Sequence, residues 1–126
     1  MNILKKILIL EQEANNFGFS WENTDQIMAQ IQSECLEINE HLEQDSSQIN
    51  QDKLQEEIGD LLHAAFSLSV FCKLSPEDTL TKTVNKFERR LNAVRNIAAE
   101  RGLDNLRNHS FDELMTIWHK AKRIAD

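Results

Sequence analysis

Two pairs of acids raise the question of what chemistry this chain could do. Glu34 and Glu37, and then Glu57 and Asp60, stand three residues apart in stretches of helical periodicity. Each pair therefore shares one side of its helix. Two such helices packed together can converge four carboxylates into an oxygen-rich cluster. That donor set suits Mg²⁺ or Mn²⁺, hard cations that keep part of their water and bridge to phosphate oxygens. An ion of this kind neutralises phosphate charge and can activate a water for attack on phosphorus. Ordinary interhelical ion pairs use the same spacing, so spacing alone leaves both readings standing.

Cations occur in a compatible pattern. Lys86 and Arg90 share a helix face at a spacing of four, beside Phe87, and Lys53 lies one turn before Glu57. Beside a metal site, the arginine would clamp phosphate through paired bonds and the lysines would act as point charges. The alternatives are a solvated basic face or partners for Glu34 and Asp60.

Helix phase sorts the acids. Turning 100° per residue from Ile27 gathers Ile27, Met28, Ile31, Cys35, Ile38 and Leu42 into one apolar arc. Glu34 borders that arc, Glu37 lies further round on the same flank with Gln30 and His41, and Glu40 points away. On the next helix, Glu57 shares a sector with Leu61, Ala64 and Leu68, and Asp60 sits beside Ala64 and Phe71. A carboxylate among apolar neighbours is costly by several kcal/mol unless it finds a cation or a proton, about the penalty for any unpaired buried charge. Between the two acids lies Gly59, inside a helix, where glycine costs about 1 kcal/mol relative to alanine. Close approach of a neighbouring helix or a ligand would explain it. His41 reads as incidental, His63 as structural or interfacial, and Cys35 as packing.

The elements that must carry these groups are helical. The chain has 126 residues, enough for one domain, with one proline, three glycines and 6% aromatic residues. So few turn formers and aromatics argue against a sandwich or barrel. A first helix is expected over about Asn2 to Asn15, closed at Asn15-Asn16, and a second from Asn23, capped with Gln26, to about Glu43. The third runs from Gln48 or Asp52 to Cys72. The fourth starts at Ser75-Pro76-Glu77-Asp78 and ends at Gly102, with Leu80, Val84, Phe87, Leu91, Val94 and Ala98 on its core stripe. Ser110 and Glu113 open the fifth, which turns Phe111, Leu114, Met115, Trp118 and Ala121 inward. The expected fold is an all-α bundle of about five helices, read as one domain over residues 1–126.

Composition narrows the function classes. A formal net charge of −7 opposes broad binding to nucleic acid or to an anionic membrane surface. The apolar run Ile3 to Leu10 is too short for a signal core or a membrane span. Two cysteines form no zinc-ligand spacing, and the default setting is cytoplasmic.

Taken in order, Glu34-x-x-Glu37, Glu57-Ile58-Gly59-Asp60, Ser75-Pro76-Glu77-Asp78 and Lys86-Phe87-Glu88-Arg89-Arg90 resemble the signature of MazG-type nucleotide pyrophosphohydrolases. Phe17-Gly18-Phe19-Ser20-Trp21 is similar to the family's entry segment, and Trp118-His119-Lys120-Ala121-Lys122 fits its end. The resemblance implies an enzyme that splits nucleoside triphosphates to monophosphates and pyrophosphate with Mg²⁺, or Mn²⁺. It implies Glu34, Glu37, Glu57 and Asp60 as metal ligands and catalytic acids, and Lys53, Lys86 and Arg90 as triphosphate contacts. It also implies a homodimer or homotetramer whose partner helices complete a four-helix core. Ser33, Val84 and Leu91 depart from the family's usual glutamate, asparagine and aromatic, and leave the four acids intact. A narrower action on dUTP, dCTP or a phosphoribosyl nucleotide, and a nucleotide-binding or helical interaction module with little turnover, are the alternatives.

Overall fold

The computed structural model describes every residue from Met1 to Asp126 and is built from helices: α1 (Ile3–Phe17), α2 (Thr24–Leu42), α3 (Gln51–Phe71), α4 (Pro76–Glu100) and α5 (Phe111–Ala125). A single 3₁₀ turn at Ser46–Gln48 interrupts the connection from α2 to α3, and there are no strands. The all-α expectation holds. No single helix is long and apolar enough to cross a membrane. Contacts divide the chain into two compact units, Met1–Thr79 and Leu80–Asp126.

Local capping chemistry decides where the helices begin. The side chains of Asn2, Asn23, Asn50, Ser75 and Ser110 each accept the backbone N–H three residues on, at 2.8–3.2 Å. Each satisfies a donor that the first helical turn would leave unpaired. Four of these five starts match the sequence reading closely; α3 begins between the two positions expected for it. The end of α1 differs. Asn15 and Asn16 continue the helix, and it closes at Gly18, whose φ of 95° returns Phe19 N–H to the Ala14 carbonyl.

In the first unit α2 packs chiefly on α3, and α1 joins α3 more lightly. The buried line along α2 is Ile27, Ile31, Glu34, Ile38 and His41, with Ile31 and Ile38 half-buried. These positions alternate steps of four and three, the spacing of a heptad seam. On α3 the matching line is Leu54, Glu57, Leu61, Ala64, Leu68 and Phe71. Met28, Cys35 and Leu42, expected in the apolar arc, are exposed instead. The arc is wider than one neighbouring helix can cover, so α3 takes one edge of it and buries the flank bearing Glu34 and His41.

The second unit has a small core in which Ala93 and Ile97 of α4 meet Ile117 and Ala121 of α5, with Val94, Leu106 and Ala125 packed around them. Phe87 and Trp118 have ring centroids 6.1 Å apart, and the Arg90 guanidinium lies 5.7 Å over the Trp118 ring. Arg90 also binds the Asp126 carboxylate through Nε and a terminal nitrogen. Leu80, Val84, Phe87 and Phe111, expected to face inward, are exposed. The contacts that bury α4 gather in its C-terminal half, where α5 supplies partners.

Ile117 is 2% exposed and Ile124, on the same helix, 62%. Ile117→Ala is expected to lower unfolding free energy in urea by about 2–4 kcal/mol, and Ile124→Ala by no more than about 0.5 kcal/mol. The Arg90 hydrogen bonds hold the Asp126 carboxyl below its ordinary range, with the charges of Arg90, Lys86 and Arg89 adding to the effect. A carboxylate lowered in the folded state contributes stability above its unfolded value and loses it as pH falls through the folded one. Asp126→Ala should therefore melt below wild type at neutral pH, and the gap should narrow as the pH drops below the usual carboxylate range.

Candidate functional site

Glu57 is the most constrained acid in the chain. It sits in the α2–α3 seam at 8% exposure, as the sequence reading expects of it. Its Oε1 lies 2.6 Å from Nδ1 of His41, itself buried on α2. The two side chains line a cleft of about 400 Å³ with Glu37 and Glu40 of α2, Gln44, Gln48, Asn50 and Lys53. The cleft thus joins the end of α2, the connecting loop and the start of α3. Three carboxylates and one lysine face the same space, a mixture able to take a cation and an anionic oxygen together.

Glu34 is buried elsewhere along α2, at 7% exposure. Its Oε1 accepts a hydrogen bond from Gln30 Nε2 at 2.7 Å, and its Oε2 is buried with no partner. An orphaned carboxylate oxygen carries the full desolvation cost that a hard cation would offset. By donor type and by this oxygen, the acids fit a divalent cation. They are not drawn round a common point, because no three Asp, Glu, His or Cys side chains in the chain gather closely enough to enclose an ion.

The seven candidate residues therefore divide. Glu37, Glu57 and Lys53 share the cleft, while Glu34 and Asp60 lie outside its lining. Asp60, expected among apolar neighbours, is exposed because the α3 seam passes through Glu57, Leu61 and Ala64. Lys86 and Arg90 belong to the second unit, where Arg90 is held by Asp126 and Trp118. Gly59 has open space where a Cβ would stand, so no neighbouring helix of this chain accounts for it. His63, read as structural or interfacial, reaches Glu11 of α1 at 2.9 Å while staying largely exposed. Ser67 Oγ donates to the same oxygen at 2.7 Å.

His41 and Glu40 are the residues that phase analysis missed. His41 reads as incidental from the 100° arc but falls on the seam once a repeat of alternating four and three is laid through Ile27, Ile31, Glu34 and Ile38. Glu40 does point away from the seam, yet the bend of the chain after α2 brings the cleft to it.

Residues 22–95, more than half of the chain, match the family described as the MazG nucleotide pyrophosphohydrolase domain. A nucleoside triphosphate pyrophosphohydrolase of Escherichia coli K12 is 31% identical over 114 residues, which are 90% of this chain and 42% of that protein. The nucleoside triphosphate pyrophosphohydrolase/pyrophosphatase MazG of Thermotoga maritima is 29% identical over 113 residues, 90% of this chain and 41% of that protein. The chain thus spans about two-fifths of the length of these relatives. With the matched stretch running from the start of α2 through most of α4 and holding all seven candidate residues, the chain belongs to the MazG nucleotide pyrophosphohydrolase domain family.

Proposed function

We propose that this chain hydrolyses nucleoside triphosphates to monophosphates and pyrophosphate with the help of Mg²⁺ or Mn²⁺. The observation that carries the reading is the burial of Glu34 and Glu57 at seam positions where a helix pair ordinarily packs aliphatic side chains. Each keeps one hydrogen bond, from Gln30 and from His41, which leaves much of the cost of burying the charge for a cation to offset. The family resemblance assigns Glu34, Glu37, Glu57 and Asp60 to the metal, of which Glu37 and Glu57 share the cleft; the ion when bound supplies charge neutralisation at the phosphates. Lys53 is the cation that the cleft offers to a triphosphate oxygen; Lys86 and Arg90 carry the same assignment through the family resemblance. Most of the rate would come from positioning and electrostatic preorganisation.

The reading includes self-association as a dimer or tetramer. Leu36, Leu42, Ile58 and Leu62 are all at least 43% exposed on α2 and α3. Open space above Gly59 lies beside Ile58 and Leu62 in a shallow apolar depression. A helix from a second copy is the occupant with matching apolar character. The two free, exposed cysteines fit a reducing, cytoplasmic setting.

Incubation with each common NTP and dNTP plus Mg²⁺ is expected to release pyrophosphate from one or more of them. Glu57→Gln and Asp60→Asn should each lower kcat/KM about a hundredfold or more, as when one element of a preorganised site is lost. Wild-type turnover in both variants would overturn the site assignment, and tight nucleotide binding without release would favour the binding-module reading. Light scattering is expected to give at least twice the 14.6 kDa chain mass, and Leu62→Glu should shift it towards the monomer.

A further inference from the structure

The imidazole of His41 makes two hydrogen bonds, and together they fix its tautomer. Its Nε2 accepts the backbone N–H of Asn50 at 3.1 Å. A ring nitrogen that accepts an N–H carries no hydrogen, so the ring hydrogen lies on Nδ1 and points at Oε1 of Glu57, 2.6 Å away. Both side chains are enclosed, His41 at 8% and Glu57 at 10% side-chain exposure. One oxygen of Glu57 is thereby engaged, and the other is left for the cleft that Glu57 lines.

The second bond reaches the other half of the same cleft. Asn50 caps α3, its side chain accepting the Lys53 N–H at 3.1 Å. One side chain on α2 therefore anchors the residue from which the Lys53 turn starts and orients the carboxylate one turn further on. An aliphatic residue at this seam position would fill the space without either bond, and Glu57 would be buried with one oxygen unpaired.

We propose that His41 is a positioning residue of the site, whose Nδ1–H locks the Glu57 carboxylate in the orientation that presents its free oxygen to a divalent cation. The inference rests on the reading of Glu57 as a metal ligand. Outer partners of this kind act through the ligand they hold, and losing one typically weakens metal binding about 10–100-fold. A histidine present only to fill the seam would not have that effect once the fold is intact.

Two substitutions separate the bonds. His41→Gln places a carbonyl oxygen near the Nε2 position, so the Asn50 contact can persist while the donor to Glu57 is lost. His41→Asn places an amide N–H near the Nδ1 position and gives up the Asn50 contact. Mn²⁺ binding to the nucleotide-free full chain, followed by the electron paramagnetic resonance signal of free Mn²⁺, is expected to weaken about 10–100-fold in His41→Gln, with wild-type helicity. His41→Asn should recover most of that loss. A folded His41→Gln protein with wild-type affinity overturns the positioning role alone, as does an equal loss in both variants. Should His41→Gln lose its helical signal, His41→Asn decides: near wild-type affinity supports the role, and a loss as large as that expected of the glutamine variant overturns it. A folded wild-type protein that binds no Mn²⁺ overturns the reading of Glu57 as a ligand and this inference with it.

Discussion

A carboxylate in the seam between two helices makes demands that an aliphatic side chain does not. Glu57 has given up most of its water at a position where heptad packing would ordinarily place a leucine or alanine. It needs a hydrogen-bond donor from the facing helix, and His41 provides one at 2.6 Å. That donor must in turn be fixed, and the Asn50 backbone fixes it from the start of α3. The end of α2, the connecting loop and the first turns of α3 are thus tied to one another through a single imidazole. The cleft is the space these three pieces leave between them.

The rest of the first unit follows from the same packing. Because α3 takes the flank of α2 that bears Glu34 and His41, the remaining apolar arc of α2 is left outward, with Met28, Cys35 and Leu42 exposed. Glu34, His41 and Glu57 share the inside of the helix pair with its aliphatic residues, and part of its apolar surface faces out. Such an arrangement is poorly suited to an isolated chain and well suited to one that docks another helix against that surface. On the proposed reading, function and assembly draw on the same choice of seam, since the rotation of α2 that buries Glu34 and His41 leaves Met28, Cys35 and Leu42 exposed.

Much of this was legible in the sequence, for reasons that differ by element. Helix starts are local: an asparagine or serine with its partner N–H three residues on needs nothing from the rest of the chain. Glu57 was legible because apolar residues surround it on nearly every side of α3. His41 was not, because a fixed 100° step finds the most apolar face of a helix, whereas the face that is buried depends on the partner. Here the partner selected a seam with a heptad repeat, and between Ile27 and His41 the two descriptions drift apart. Asp60 fell to the same error in reverse. Gly59 pointed to a close neighbour that no part of this chain supplies.

On the proposed reading, the buried, histidine-held Glu57 is the carboxylate round which a divalent cation binds. Crystals of the protein grown with Mn²⁺ and measured at the manganese absorption edge test it directly. An anomalous peak is expected at coordination distance from the Glu57 carboxylate, with His41 still on its other oxygen. Strong Mn²⁺ peaks confined to other parts of the molecule, with the Glu57 carboxylate bound to His41 alone, would contradict it.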